Sequence, residues 1–280
     1  MPYLCTHLAF GARIADALGQ PIEQLPDAYV LGCFGPDIYF FDRLPPTPFV
    51  PHKKKFGNAL HRTDCAALFD ALESAAGPED TPYLLGFLTH IALDSTLHPY
   101  VEAHHVGIDH TRFEGVIDSI VYAQTRERIP YEAILLRRPD ASRIDALLAV
   151  VSDRLQLAPV GGAYLRSLRK FRRLVPFLYD PKGGRYRALL RIERLLRREG
   201  LLSAFLLAAA RENREDAMNL RKRTWTSPFC AEQTSCASVP ELIDEAERYA
   251  LQLIAAYRAD DRETLRALLR NRTMQKGVLG

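Results

Sequence analysis

The sequence predicts an all-α protein, a multi-helix bundle with additional C-terminal helices. Three observations predict it. Apolar residues recur at spacings of three and four, the period of one helix face. Helix-starting residues stand where those patterns begin. Alternating strand patterns are scarce, and no strand–helix–strand repeat occurs. With 280 residues, 48% hydrophobic and 25% charged, the chain can bury a sizeable core and lacks the bias of disordered or collagen-like sequence.

In chain order, the helical pattern runs through 4–18, 58–75, 82–101, 111–126, 142–156, 185–210 and 240–270. Asp80-Thr81-Pro82 offers a cap and a first-turn proline to the third stretch. Ser238-Val239-Pro240-Glu241 has the Ser-x-x-Glu form of a capping box before the last. Two Pro/Gly-rich stretches interrupt the pattern, at 44–51 and 176–184. The first lies between candidate ligand segments and is expected to be a loop near the site mouth. The second suggests a metal-binding helical core over 1–160 and a basic helical part over 161–280, in the same domain or beside it. No clean boundary is visible.

No apolar run reaches the roughly 18 residues of a membrane-spanning helix. The start, Met1-Pro2-Tyr3-Leu4, has no cationic segment ahead of an apolar one, so no secretory signal is expected. Cys5, Cys33, Cys65, Cys230 and Cys236 form no C-x-x-C pair, and the expected setting is a reducing cytoplasm. The net charge of +3 hides an asymmetry. Residues 1–110 carry 6 Lys/Arg and 13 Asp/Glu, whereas 111–280 carry 31 and 21. All 8 histidines fall in the first part. An acidic, histidine-rich segment is where neutral imidazoles and carboxylates can meet a divalent cation.

The most informative stretch is 82–100. His90, Asp94 and His98 are spaced i, i+4, i+8, which places them in a sector about 80° wide. Leu84, Leu85, Phe87, Leu88, Ile91, Leu93 and Leu97 make the rest apolar on several sides, so the helix is expected to be buried. Two imidazoles and a carboxylate on its polar stripe then need a partner, and a metal ion supplies one. His110 and Glu114 repeat the i, i+4 spacing, and His7, Asp37 and His61 stand upstream. A lone helical histidine is more often structural. Two pairs and a triad of ligand types are harder to explain that way.

This order of residues resembles the zinc-dependent phospholipase C family, whose wider superfamily includes the S1/P1-type nucleases. Ligands there follow as His, Asp, His, His-x3-Asp, His, His-x3-Glu/Asp. Here the order is His7, Asp37, His61, His90-x3-Asp94, His98, His110-x3-Glu114. The resemblance covers residues 7–114 and implies that family's all-α fold with zinc as cofactor. It would put Asp37, His61, His90 and Asp94 around one ion and His98, His110 and Glu114 around a second. Asp94 would also reach toward a third ion at His7. Relatives complete that third position with a processed N-terminal tryptophan. The sequence begins Met1-Pro2, so two ions are expected.

A zinc pair suits displacement at phosphorus, because it acidifies water and neutralises charge on phosphoryl oxygens. Asp37 is the candidate to orient or deprotonate the nucleophile. The expectation is phosphodiester hydrolysis by phospholipase C-like attack on a phospholipid headgroup. The alternatives are an S1/P1-like nuclease or other phosphoesterase, and a non-catalytic protein stapled by metal. Residues 166–199, with 12 Lys/Arg and 3 Asp/Glu among leucines and phenylalanines, could approach a membrane surface or a nucleic acid. A solvated helix face whose arginine stems cover apolar neighbours is the simpler expectation. H-E-x-x-H, G-x4-G-K-S/T, G-x-S-x-G, G-x-G-x-x-G and a His-Asp dipeptide are all absent. A ferritin-like centre would want two Glu-x-x-His elements, and only Glu102–His105 is present.

Overall fold

The computed structural model describes residues 4–43, 55–104, 108–157, 161–197, 202–203, 206–207, 216–230 and 232–279. The architecture is all-α, joined by two small antiparallel hairpins. The Pro-rich stretch 44–51, His52 and His105 lie outside the described residues. No helix among the described residues is long and apolar enough to cross a membrane.

The centre of the fold is α5, Thr81–His104, whose side chains are buried on nearly every side from Tyr83 to Leu97. Helix α2, Asp27–Phe34, crosses it at backbone contact. A Cβ on Gly32 would lie 2.2 Å from the Tyr83 carbonyl oxygen, and one on Gly86 would lie 2.1 Å from that of Tyr29. Any side chain at either glycine would separate the helices. This contact sets the Cys33 carbonyl and Gly35 against His90. The chain then turns at Gly35 (φ +48°), a conformation that favours glycine, into a 3-10 segment over Gly35–Arg43 that carries Asp37.

Helix α1, Leu4–Ala17, packs on both α5 and α6, Ile108–Thr125. Asp118 ties it down by accepting from the Thr6 N–H at 2.7 Å and the Thr6 hydroxyl at 2.8 Å. The stretch expected as one helix over 58–75 is two, α3 (Lys55–Arg62) and α4 (Cys65–Ala75). Asp64 makes the break: its carboxylate accepts from the N–H groups of Ala66 and Ala67, opening a new helix.

Beyond α6, the chain forms α7 (Tyr131–Leu135), α8 (Ser142–Arg154), α9 (Ala163–Leu178) and α10 (Gly184–Leu195). The helix expected through 185–210 therefore ends at Leu195 within the described residues. Phe171 and Tyr164 of α9 meet Phe41 and Tyr39 edge to face and hold the 3-10 segment from outside.

The last stretch, 240–270, is likewise two helices, α11 (Val239–Arg258) and α12 (Arg262–Leu269). Asp260 takes φ +54°, and Asp261 caps the second by accepting from the Thr264 N–H. The capping box at Ser238 and Glu241 is present. Leu253, Ile254 and Met274 join the same apolar core as Leu8, Leu88 and Leu93. Strands β1 (Trp225–Thr226) and β2 (Thr234–Ser235) form one hairpin; β3 (Arg272–Thr273) and β4 (Gly277–Val278) form the other, which packs on α5. Pro99, inside α5, has no N–H to give the Ser95 carbonyl, and Gly277 sits over that carbonyl.

Candidate metal centre

Four elements converge on the polar stripe of α5. Helix α1 supplies His7, the 3-10 segment Asp37, α3 His61, α5 His90, Asp94 and His98, and α6 His110 and Glu114. His7, Asp37, His61, His90, Asp94 and Glu114 are all buried. Asp94 is the hub. Its Oδ1 lies 3.1 Å from His7 Nε2, and its Oδ2 lies 3.2 Å from His90 Nε2, 3.4 Å from His61 Nε2 and 3.6 Å from His98 Nδ1. Asp37 lies 3.2 Å from His61 Nε2 and 3.7 Å from His7 Nε2. At the far end, Glu114 Oε1 is 2.8 Å from His110 Nε2 and 3.5 Å from His98 Nε2.

Three groups have ligand atoms within 4.8 Å of one another: His7, His90 and Asp94; Asp37, His61 and His90; His98, His110 and Glu114. All eight expected residues are in them. His104 is in none; it bonds to the Tyr100 carbonyl and stacks on Phe113.

Backbone carbonyls orient three of the imidazoles. Nδ1 lies 2.7 Å from the Gly57 carbonyl in His61, 3.1 Å from that of Cys33 in His90, and 2.9 Å from that of Met274 in His98. A carbonyl only accepts, so each Nδ1 carries the proton and donates. In the neutral ring, Nε2 is then the lone-pair atom, and it faces the carboxylates.

The electrostatics follow from burial among opposite charges. Burial lowers His61, but the charges of Asp37 and Asp94 beside it raise it to about 10. Burial also lowers His98, yet Asp94 and Glu114 raise it to about 9. Burial pushes Asp94 up, and His98, His90 and His7 pull it well below the carboxylate range.

Whether the donor set fits zinc is tested by its orphaned atoms. His61 Nε2, His90 Nε2 and Asp94 Oδ2 are buried and make no hydrogen bond, although Asp94 Oδ2 lies 3.4 Å from the first and 3.2 Å from the second. Leaving such atoms without partners costs about 1–3 kcal/mol each. Imidazole nitrogens and carboxylate oxygens aimed at common points are what a divalent cation requires. The residues fit the ion.

One end of the cluster is open. A cleft of about 130 Å³ reaches Asp37, His61, His98, His110 and Glu114 from outside. Sequence reasoning misses the rest of its wall: Phe40, Asn58, Arg62, Glu102 and Gln275. Glu102 Oε1 lies 3.8 Å from His110 Nδ1. Gln275 links Arg62 to Glu102 and donates its N–H to the His61 carbonyl. The signal for Glu102 is its place on α5 one turn after His98; nothing local marks Gln275.

Compared with known families, residues 6–156 match the one described as Zinc dependent phospholipase C. No curated protein and no solved structure matches the chain.

Proposed function

The chain belongs to the zinc-dependent phospholipase C family, and from that premise we propose that it hydrolyses the phosphodiester of a phospholipid headgroup. The observation that carries the reading is a buried cluster of imidazoles and carboxylates with one open side. A purely structural metal site is closed on all sides, whereas a catalytic one keeps a position for water.

In this reading Asp37, His61, His90 and Asp94 hold one zinc ion, and His98, His110 and Glu114 hold a second. His7 with Asp94 offers a further position. Bound zinc supplies Lewis acidity toward phosphoryl oxygens and acidifies water. The chain's own residues do the rest. Asp37 belongs to the buried cluster and also lines the cleft, so its carboxylate can orient an entering water and accept its proton. Burial pushes Asp37 up, but the neighbouring His61 outweighs this and holds the carboxylate below its usual range in the zinc-free chain. The Gly57, Cys33 and Met274 carbonyls fix the rings, so the donor atoms need little rearrangement.

The test combines metal analysis with a substrate screen on the whole chain. Phosphatidylcholine and phosphatidylethanolamine should release phosphorylated headgroup, phenanthroline should abolish the release, and added zinc should restore it. Turnover that survives complete chelation overturns the mechanism. Faster cleavage of single-stranded DNA or RNA than of lipid favours the nuclease reading. Tightly held zinc with no turnover on lipid, nucleic acid or a chromogenic phosphodiester favours the metal-stapled one.

A further inference from the structure

Helix α10 is built inside out. Its only acidic residue, Glu193, is buried, while Ile192 and Leu195 are 52% and 84% exposed, and Leu196 just beyond is 66% exposed. At about 100° per residue, Ala188, Ile192, Leu195 and Leu196 share an arc about 100° wide, and Glu193 lies well to its side. Glu193 is buried for a reason: its carboxylate accepts from the N–H groups of Leu202 and Ser203 and from the Ser203 hydroxyl. With that side fixed inward, the aliphatic stripe must face out. Arg187 and Arg191 border the stripe and are exposed. Arg185, at its start, lies over the ring of Phe177, itself 49% exposed.

We propose that α10 is a membrane-docking surface, seating Ile192, Leu195 and Leu196 at the acyl boundary of an anionic leaflet while the bordering arginines meet lipid phosphates. Docking of this kind combines buried apolar area with charge attraction. That it delivers lipid to the cleft rests on the phospholipid reading above; the docking itself does not. Charge complementarity selects the occupant. A second copy of the chain would bring arginines against arginines. Nucleic acid would reward the arginines but gain nothing from exposed leucine and isoleucine, since its bases stack on aromatic side chains.

The experiment is co-sedimentation of the whole protein with vesicles of phosphatidylcholine and phosphatidylglycerol in equal parts. The protein should bind these, bind phosphatidylcholine vesicles more weakly, and dissociate as salt rises. Ile192→Ser with Leu195→Ser should weaken partitioning about tenfold at unchanged helicity, as should Arg187→Glu with Arg191→Glu. Neither pair lines the cleft, so hydrolysis of a water-soluble chromogenic phosphodiester should not change. Wild-type protein that ignores the anionic vesicles overturns the proposal, as does a serine pair that binds them equally well. A dimer broken by the serine substitutions, or single-stranded DNA binding lost with the arginine pair while vesicle binding persists, also overturns it. Vesicle binding without hydrolysis of any phosphoester would leave the docking surface standing and remove the phospholipase reading; hydrolysis of the soluble ester without vesicle binding does the reverse.

Discussion

His98 Nδ1 lies 2.9 Å from the carbonyl oxygen of Met274, 176 residues further along the chain. The contact makes the β3–β4 hairpin part of the candidate metal centre, since it sets the ring that faces Glu114. Gln275, in the same turn, reaches Glu102 and the His61 carbonyl.

Substituting Gly277→Val should therefore damage one end of the site. Gly277 has φ +70°, and a Cβ there would lie 2.7 Å from the Ser95 carbonyl oxygen and 2.8 Å from Pro99 Cγ. The hairpin must lift, and His98 loses its carbonyl. We expect zinc affinity at the His98, His110 and Glu114 group to fall roughly tenfold. The group around His61 should weaken less, because its ring is held by the Gly57 carbonyl on its own helix. Zinc titration against a competing chelator reads this as one class of site weakened well beyond the other. Uniform weakening of both would contradict it.

Gly35→Ala should strike the opposite end. Its Cβ would sit 2.7 Å from two ring atoms of His90, and the backbone there is at φ +48°. Alanine at that position should cost about 2 kcal/mol and turn the ring that two ligand groups share. Thermal unfolding of the zinc-free protein measures the first effect, and elemental analysis the second. An alanine variant with full zinc content would show that His90 adjusts without cost.

Asp94→Asn removes the charge that four imidazoles approach. Zinc content should fall and headgroup release should cease. The zinc-free protein should also lose about 3 kcal/mol, because the His61 and His98 rings, which this carboxylate helps to raise, are left buried without it. Denaturant unfolding in a chelating buffer isolates that last term. Equal stability of the two zinc-free proteins would mean that the rings are neutral.

Zinc affinity should rise with pH. Folding raises His61 to about 10 and His98 to about 9, above the ordinary 6.5, so it favours their protonated forms. The stability this gives the zinc-free chain is complete below pH 6.5 and lost as pH rises through about 9 and then 10. Zinc must expel those protons. Its apparent affinity should climb by about a decade per pH unit for each proton displaced between about pH 6 and pH 8. Calorimetric titration in buffers of different ionisation enthalpy counts the protons, and a count of zero would refute the protonated state.

The ligand set is legible in the sequence to differing degrees. His90, Asp94 and His98 declare themselves by helical spacing inside an apolar run, and His110 with Glu114 repeats the device. His7, Asp37 and His61 have no local signature; only their order in the resemblance joins them to the others. The carbonyls of Cys33, Gly57 and Met274 are invisible, because every residue has one and only the fold says which is aimed at a ring. Apolar periodicity runs unbroken across Asp64 and Asp260, so two helix pairs read as single helices until the capping hydrogen bonds are seen. Two-residue strands are too short to alternate. The outward face of α10 is hidden for a different reason: its pattern is ordinary, and the Glu193 hydrogen bonds decide which side faces in.

The distance in sequence between His98 and its carbonyl partner bears on biosynthesis. While residue 274 is still inside the ribosome, His98 has already emerged, yet the carbonyl that accepts from its Nδ1 is not in place. Zinc captured at that end by a nascent chain would meet a loose ligand. A ribosome-bound intermediate stalled before the hairpin should therefore hold metal more weakly at the His98 end than the finished chain does.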